Sequence, residues 1–452
     1  MTHESFGGRP EILRAAFAVV AGWLALTDPV VAAGPAGGAP PNVVMIISDD
    51  QGYGDYSFMG HPHIRTPHLD RLAAQGKTFR RGYVPSSLCS PSLASILTGL
   101  YPHQHKVTSN DPPAPAGKAG RLGRRHPDSL AGRREMVRAF DRVDTLPRRL
   151  AEEGYASFQA GKWWGGHYRH GGFTHGMSHG DPEHGGRHGD EGLTVGRKGM
   201  DDVFAFLDTT TGRGEPFFLW YAPMMPHSPH TPPARLLDKY LDRAGSPEVA
   251  RYWAMCEWFD ETCGQLLGYL DHKGLAENTI VVFLADNGWI QDPDADRYAP
   301  RSKQSPYDGG LRTPIIVRWP LVVRPGVSDR PVLSIDLAPT ILAAVGLDPA
   351  PAMQGVDLRD EAAFAARTAI FGEVFTHDAV DLRRPASSLR YRWVVEGDRK
   401  LILPDPRNEP DGKVELFDLA RDPFEGANLA GRHPEEAERL RRLIDDWWPA
   451  DG

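Results

Sequence analysis

Uninterrupted apolar runs alternate with segments of helical periodicity along most of the chain. The runs at 42–48, 217–222 and 279–285 have the length of strands, and continuous apolar sequence is typical of parallel strands that are buried on both faces. This alternation predicts a large doubly wound, mostly parallel α/β sheet flanked by helices. Further strands are predicted at 155–160 and 314–319, and helices at 66–76, 144–154 and 248–270.

The alternation stops near Gly355. Short strands with hairpin-like spacing follow at 371–373, 391–396 and 400–403, and the chain ends with a predicted helix at 434–448. This pattern predicts a small antiparallel sheet with one helix. We therefore predict a main domain over residues 34–356 and a small C-terminal α+β subdomain over residues 357–452.

The first 33 residues have the order of a secretory signal peptide. Arg9 and Arg14 precede an apolar run at 15–26, and Val31-Ala32-Ala33 offers small residues for cleavage. This run is short for a membrane span, and no later stretch is long and apolar enough to cross a bilayer. The sequence predicts export to the periplasm or the extracellular space, with no membrane span after the signal is removed.

Composition and charge indicate a protein with long loops and give no sign of nucleic-acid binding. The 48 glycines and 40 prolines predict long, turn-rich loops, and the formal net charge of −8 offers no basis for nucleic-acid binding. Of the three cysteines, Cys256 and Cys263 lie on one predicted helix, separated by roughly 10 Å of helical rise. That distance is too long for a disulfide, so both are expected in the core.

Two segments have unusual compositions. Residues 109–144 are rich in proline, glycine and arginine, and they form either a solvated excursion or a basic rim that meets an anionic polymer. Residues 165–192 are glycine-rich and histidine-rich, and their irregular spacing without cysteines favours a polar loop over the active site rather than a zinc site. The residues concerned are Arg121, Arg124, Arg125, Arg133, Arg134, Arg138 and Arg142, and His167, His170, His175, His179, His184 and His188.

Polar side chains follow two of the predicted buried strands. Asp49 and Asp50 end the first strand, and Asp286 and Asn287 end the run at 279–285. An adjacent acid pair is also typical of a solvated turn, but open α/β sheets place their ligands at the carboxyl ends of strands. Oxygen ligands with this charge suit Ca²⁺, and they suit Mg²⁺ less well because its geometry is stricter.

Cys89 stands at the start of a predicted helix, with Ser87 or Ser90 as its N-cap and Pro91 in the first helical position. The positive end of the helix dipole favours a reactive thiolate, whereas the alternative is an ordinary buried cysteine. Ammonium and imidazole groups beside a metal are typical of a site for a tetrahedral anion and its leaving group. The candidates for these groups are Lys162, His227 and Lys303.

Taken together, these segments resemble the formylglycine-dependent sulfatases of the alkaline phosphatase superfamily, over nearly the whole predicted mature chain. Each short match is weak alone, but their common order is specific. The matching segments are Asn42-Val43-Val44 through Asp49-Asp50-Gln51-Gly52, Cys89-Ser90-Pro91-Ser92, Leu97-Thr98-Gly99-Leu100-Tyr101-Pro102-His103, Gly161-Lys162-Trp163, Asp286-Asn287-Gly288, Lys303 with Tyr307-Asp308-Gly309-Gly310, Asp336-Leu337-Ala338-Pro339-Thr340, and Glu415-Leu416-Phe417-Asp418-Leu419 with Asp422-Pro423.

The resemblance implies a sulfuric ester hydrolase that acts on a sulfated small molecule or saccharide, with residues 34–356 as its catalytic domain. It implies that a formylglycine-generating maturation enzyme oxidises Cys89 to 3-oxoalanine, whose hydrate is the nucleophile. It further implies that Lys162 holds the hydrate and the sulfate, while His227 and Lys303 neutralise the departing ester oxygen, one of them as general acid. The metal ligands that it implies are Asp49, Asp50, Cys89, Asp286 and Asn287.

Two positions depart from the family pattern. Leu93 stands where the family usually has arginine, and Trp164 stands where it usually has histidine. We hypothesise that His167 or Arg169 partly replaces these functions, with His167 as an additional substrate-binding candidate. Two alternatives stay open: a phosphate or phosphonate ester hydrolase that uses the same site, and a degenerate relative that binds sulfated glycans without cleaving them.

Overall fold

Two β-sheets organise the chain in the computed structural model, which describes residues 38–113, 126–180 and 190–450. The predicted signal peptide lies outside the described residues, as do Arg121, Arg124, Arg125, His184 and His188. The strands of the large sheet are β1 (Asn42–Ser48), β2 (Lys77–Tyr83), β3 (Ala156–Gly161), β4 (His175–Gly176), β5 (Phe217–Ala222), β6 (Thr279–Ala285), β7 (Arg312–Arg318), β8 (Gly326–Ser328) and β9 (Val332–Leu333).

Helices cover both faces of this sheet. The longest helix starts where Ser246 caps it by accepting a hydrogen bond from the backbone N–H of Val249, with Pro247 as the first helical residue. The helices are α1 (Pro67–Gln75), α2 (Cys89–Thr98), α3 (Pro102–His105), α4 (Pro127–Phe140), α5 (Leu146–Glu152), α6 (Asp201–Gly212), α7 (Ala234–Leu237), α8 (Pro247–His272), α9 (Asp308–Leu311), α10 (Leu337–Ala344), α11 (Glu361–Ala366) and α12 (Pro434–Trp447).

The large sheet is mixed, with a parallel centre. Its strand order is β4-β3-β5-β1-β6-β7-β2-β8, and β9 pairs with β2. The pairs β3–β4, β3–β5, β1–β5 and β1–β6 are parallel, whereas β7 runs antiparallel to both β6 and β2. The predicted doubly wound, mostly parallel fold class is therefore confirmed.

Alternate residues of the central strands supply two separate cores. On β1, Val43, Met45 and Ile47 pack into one apolar cluster, while Val44 and Ile46 pack into the other. This division follows from the two-residue repeat of a strand, because successive side chains point to opposite faces. Cys256 and Cys263 are fully buried, as predicted.

The smaller sheet is antiparallel throughout, as the hairpin spacing predicts. Its order is β10-β11-β12-β13, and α12 packs on it through the buried side chains of Leu440 and Ile444. The domain boundary at 356/357 stays a prediction; both sheets belong to the unit Gly34–Gly452. The strands of this sheet are β10 (Ala369–Phe375), β11 (Leu389–Glu396), β12 (Arg399–Pro404) and β13 (Glu415–Asp418).

Helix α4 lies within residues 109–144, for which the sequence predicts a solvated excursion or a basic rim. This helix buries Val137 and Phe140 together with Arg133, whose charge masks the apolar face in the sequence. Strand β2 was also missed, since Arg80 and Arg81 interrupt its apolar pattern. Arg80 is exposed and pairs with Asp329, while the partly buried Arg81 pairs with Asp398. Within the described residues, we find no helix with the length and apolar character needed to span a membrane.

Candidate active site

Four adjacent parallel strands deliver polar side chains to one edge of the large sheet. Asp49 follows β1, Lys162 follows β3 and Asp286 follows β6. His227 lies on the segment after β5, and this segment is joined to β1 by a hydrogen bond from the Asp49 N–H to the Met225 carbonyl oxygen (2.9 Å). Because β3, β5, β1 and β6 are neighbours, their carboxyl ends meet, as expected for a ligand site in an open α/β sheet.

Asp50 lies at the centre of a buried charge cluster. The Lys303 Nζ is 2.6 and 2.7 Å from its two carboxylate oxygens, and the Asn287 Nδ2 donates to its Oδ1 over 2.7 Å. The His227 Nε2 is 3.4 Å from the Asp50 Oδ2. Burial alone would raise the pKa of Asp50, but the positive charge of Lys303 and further charges from His227 and Lys162 lower it to about 2. Asp50 is therefore an anion at every pH at which the protein is expected to work.

Lys162 bridges the carboxylates of two strands. Its Nζ lies 2.5 Å from the Asp49 Oδ1 and 3.1 Å from the Asp286 Oδ2, and its side chain is almost completely buried. Burial by itself would lower the pKa of Lys162, but the charges of Asp286 and Asp49 raise it well above its ordinary value. The Asp49 Oδ2, which is also buried, has no hydrogen-bond partner among the described residues.

Cys89 lies between these two groups. Its Sγ accepts a hydrogen bond from the Lys303 Nζ (3.0 Å), and its thiol donates to the Asn287 Oδ1 (3.4 Å). Of the two alternatives for the unmodified residue, burial favours an ordinary buried thiol over a thiolate, because it raises the pKa of Cys89 to about 12 despite the nearby charges of Lys162 and Lys303.

The start of α2 differs from the sequence prediction. The helix begins at Cys89 itself, so Pro91 is its third residue, and neither Ser87 nor Ser90 is its N-cap. Instead, the buried side chain of Asn110 accepts a hydrogen bond from the Ser90 N–H (2.9 Å). Asn110 thereby satisfies one of the helix's first N–H groups from a distant segment, and no local sequence signal could have identified it.

The segment that carries Lys303 is held from two sides. The N–H of the next residue, Gln304, donates to the Ser87 carbonyl oxygen (2.8 Å), directly before the cysteine helix. Its carbonyl oxygen accepts from the guanidinium of Arg390 on β11 (2.9 Å), and Arg390 also pairs with Glu409 (2.6 Å). Sequence reasoning missed Arg390, which links the small sheet to the position of Lys303.

A buried ion network fixes the other end of this segment. The Lys400 Nζ of β12 lies 2.8 Å from the Asp308 Oδ1 and 2.7 Å from the Glu425 Oε1, and the Glu425 Oε2 accepts from the Asp308 N–H over 2.6 Å. All three side chains are at most 2% exposed. Burial alone would lower the pKa of Lys400, but the charges of Asp308 and Glu425 raise it, so the lysine stays charged.

The two departures from the family pattern are both buried in apolar surroundings. Leu93 of α2 packs in the apolar core, and Trp164 contacts Phe140 of α4 with ring centroids 5.3 Å apart. The ring of His167 contacts Tyr168 and His179, and the Arg169 guanidinium lies over the Tyr168 ring. These contacts do not join His167 or Arg169 to Cys89, so their predicted compensating role stays a hypothesis.

Three clusters of potential metal ligands occur among the described residues, and none comes from the histidine-rich segment. Two of them overlap in the site: Asp49 with Cys89 and Asp286, and Asp49 with Asp50 and His227. The third cluster comprises Asp111, His377 and Asp378. The site described above is therefore the place where carboxylates, a thiol, an imidazole and two ammonium groups converge.

Comparison with known proteins identifies the family. Residues 41–347 match the Sulfatase family, and residues 301–445 match a family described as N-sulphoglucosamine sulphohydrolase, C-terminal. The chain belongs to the sulfatase family. This sulfatase is 30% identical over 407 residues to N-acetylgalactosamine-6-sulfatase of Canis lupus familiaris, with 77% of this chain and 73% of that protein covered. It is 28% identical over 486 residues to arylsulfatase A of Homo sapiens, with 91% and 89% covered.

The fold of this sulfatase is shared by solved structures. One of them, a protein in complex with its substrate D-glucosamine-2-N,6-O-disulfate, matches with a TM-score of 0.68 at 20% identity and covers 91% of this chain and 98% of its own. Such a likeness shows the fold alone. The family and its named relatives make the chain a sulfuric ester hydrolase, which confirms the predicted family and enzyme class.

Proposed function

We propose that this sulfatase hydrolyses a sulfate ester of a saccharide by means of a formylglycine made from Cys89 and a bound divalent metal ion. The observation that carries the proposal is the position of Cys89, which contacts Lys303 and Asn287 between two clusters of carboxylates. We further propose that the protein is exported and matured by a formylglycine-generating enzyme. The saccharide class is supported by the sulfated-sugar names of relatives and neighbours.

The residues present fit a metal ion. The Asp49 Oδ2 is buried without a hydrogen-bond partner among the described residues, and carboxylate oxygens of Asp50 and Asp286 lie within 4.8 Å of an Asp49 oxygen. The side chain of Asn287, which donates to Asp50 and accepts from Cys89, lies next to this group. Three carboxylates and an amide form the all-oxygen donor set that Ca²⁺ prefers, whereas Mg²⁺ requires a stricter geometry. We propose Ca²⁺, held by these four residues and by the modified residue 89.

The protein's own cations would bind the sulfate group and neutralise its charge. Lys162 and Lys303 are buried ammonium groups, and a low-dielectric site strengthens their attraction for an anionic ester. When present, the formylglycine hydrate supplies a hydroxyl nucleophile for sulfur, and the metal ion polarises the sulfate group. Together, these groups would favour cleavage of the S–O bond, which releases the ester oxygen.

His227 is placed to exchange a proton at one defined atom. Its Nδ1 lies 2.6 Å from the Ser228 carbonyl oxygen, which can only accept, so Nδ1 carries a proton in every protonation state. Its Nε2 therefore gives a proton to the departing ester oxygen only from the imidazolium form, and burial disfavours that form by lowering the pKa of His227 to about 4. Lys303, which stays charged, is the second candidate donor. The overall reaction converts the ester and one water into an alcohol, sulfate and one proton.

Two measurements test this proposal. The protein is produced together with a formylglycine-generating enzyme, and mass spectrometry of the peptide containing residue 89 is expected to show an aldehyde in place of the thiol. Turnover of 4-nitrophenyl sulfate and of 6-sulfated N-acetylhexosamines is then compared with turnover of 4-nitrophenyl phosphate. We expect the rate of hydrolysis of the sulfates to exceed that of the phosphate by at least about 10²-fold. This is about the change in rate caused by gaining or losing one group that stabilises charge in the transition state.

A matched pair of variants separates the nucleophile from a general effect of cysteine loss. Cys89→Ala is expected to abolish turnover, whereas Cys256→Ala removes an equally buried thiol from an apolar cluster and should retain it. An unmodified thiol at residue 89 in protein made beside an active maturation enzyme would overturn the formylglycine mechanism. Preferred turnover of the phosphate would favour the phosphoesterase alternative, and sulfated-sugar binding without turnover would favour the degenerate binder.

A further inference from the structure

Helix α4 presents a row of arginines that the proposed chemistry does not use. Arg134, Arg138 and Arg142 are all exposed. They are spaced by four residues, which corresponds to about 6 Å of rise per step along one side of a helix. Arg142 continues the row just beyond the end of α4, where Asp141 still has helical backbone angles.

These three arginines form no ion pair with any other described residue. Two acidic side chains of the same segment, Glu135 and Asp144, already pair with other arginines, so they do not cancel the row. Glu135 pairs with Arg383 (3.2 Å), whereas Asp141 lies 2.6 Å from the imidazole of His170. Asp144 pairs with Arg149 (3.4 Å), and Asp128 lies 3.6 Å from His126. The outer side of α4 therefore carries a row of three arginines without carboxylate partners among the described residues, on a chain whose formal net charge is −8.

The inner side of α4 contacts the segments that build the candidate active site. Arg133 donates to the Asn110 carbonyl oxygen (3.2 Å) and pairs with Asp111, and Asn110 caps the cysteine helix at Ser90. A Cβ at Gly132 would lie only 2.6 Å from the Pro112 Cβ, which shows how closely the helix approaches this segment.

The end of the helix reaches the opposite segment of the site. Phe140 packs against Trp163 and Trp164, the two residues that follow Lys162. The charged row is thus carried by a helix that is wedged between the segment capping Cys89 and the segment carrying Lys162.

We propose that Arg134, Arg138 and Arg142, here called the arginine ridge, bind the flanking sulfate groups of a polymeric sulfated polysaccharide while one sulfate ester occupies the active site. The choice of partner rests on the proposed function and on charge complementarity, since a row of evenly spaced guanidinium groups suits regularly spaced oxyanions. The ridge extends the binding surface beyond a single sugar, so the natural substrate is a chain rather than a free monosaccharide.

Binding is measured in the Cys89→Ala variant, so that the substrate is not cleaved during the assay. The first assay is affinity electrophoresis in gels that contain dextran sulfate, unsulfated dextran or hyaluronan. The second assay is a titration with single-stranded DNA. The triple variant Arg134→Gln, Arg138→Gln, Arg142→Gln is expected to bind dextran sulfate about tenfold more weakly, with a shallower salt dependence, because three ion contacts are lost. The corresponding triple lysine variant keeps the charges and is expected to retain most of the binding.

The matched control is Arg421→Gln, Arg441→Gln, Arg442→Gln, which removes the same charge from exposed arginines that already have carboxylate partners. Unchanged binding by the ridge variant, or equal weakening by the control, would overturn the proposal. Binding of DNA as tight as that of dextran sulfate would also overturn it, in favour of a nucleic-acid surface. The two proposals can fail separately. If the ridge variant loses binding but the protein with Cys89 intact hydrolyses no sulfate ester, the arginine ridge is supported and only the proposed reaction is overturned.

Discussion

Arg390 offers a sharp test of how the small sheet contributes to catalysis. Its guanidinium holds the carbonyl oxygen of Gln304 at 2.9 Å, while the Ser87 carbonyl oxygen accepts the N–H of the same residue at 2.8 Å. Gln304 has a φ of +64°, a left-handed conformation that a non-glycine residue adopts only when its surroundings impose it. Arg390→Ala removes one of these two restraints from the residue next to Lys303.

The size of the effect depends on the contacts that remain. Complete loss of one group that stabilises developing charge costs about 10²–10³ in rate, and a displacement of about 1 Å costs up to about 10². Because the hydrogen bond to Ser87 and the contact of Lys303 with Asp50 both persist, we expect kcat to fall about tenfold. The half-buried ion pair with Glu409 should contribute no more than about 1 kcal/mol to stability, so the fold should persist.

The assay compares esters with good and poor leaving groups. Since Lys303 is proposed to assist the departing oxygen, its displacement should reduce hydrolysis of a sulfated sugar more than hydrolysis of 4-nitrophenyl sulfate, whose leaving group needs little assistance. Arg390→Lys should recover part of the loss because it keeps a donor near the Gln304 carbonyl oxygen. The control is Arg399→Ala on neighbouring β12, whose side chain is similarly exposed (30% against 28%) and pairs with Asp418 and Glu436.

Equal losses on both classes of ester would refute a positioning role, because a general weakening of the fold does not discriminate between leaving groups. A comparable loss in Arg399→Ala would have the same consequence. Unfolding in urea, measured on each variant, separates a loss of folded protein from a loss of rate.

Two further predictions concern the metal and the pH dependence of stability. Treatment with EDTA is expected to abolish turnover, with recovery by Ca²⁺ exceeding recovery by Mg²⁺, and unchanged turnover in metal-free protein would contradict the proposed ligand set. Asp260 of α8 accepts from the N–H groups of His68 and Leu69, and burial raises its pKa to about 7. The Asp260 carboxyl therefore keeps its proton in the folded protein up to about pH 7, whereas in the unfolded chain it loses that proton near pH 4. Its contribution to stability is fully present below about pH 4 and is lost as the pH rises towards 7. As the pH is lowered from 7 to 5, the unfolding free energy of the wild type should therefore rise relative to that of Asp260→Asn by about 1 kcal/mol per pH unit. A difference between the two proteins that does not change with pH would contradict this prediction.

The sequence by itself determined the central strands and the polar residues at their carboxyl ends. A strand buried on both faces of a sheet requires a continuous apolar run, so β1, β5 and β6 are visible in the order of residues. Because neighbouring parallel strands end at the same edge, Asp49, Lys162 and Asp286 could be placed together from sequence alone. Local pattern sufficed for this part of the site because each residue directly follows its strand.

Only the tertiary structure decided how these groups are held. Asn110 caps the cysteine helix from another segment, Arg390 reaches Gln304 across 86 positions of sequence, and Lys400 is buried against Asp308 across 92 positions. Each is a single long-range polar contact, and such contacts have no periodicity that a sequence pattern could reveal. Packing also affects Cys89, since burial raises the pKa of its thiol although the residue starts a helix and lies near two lysines.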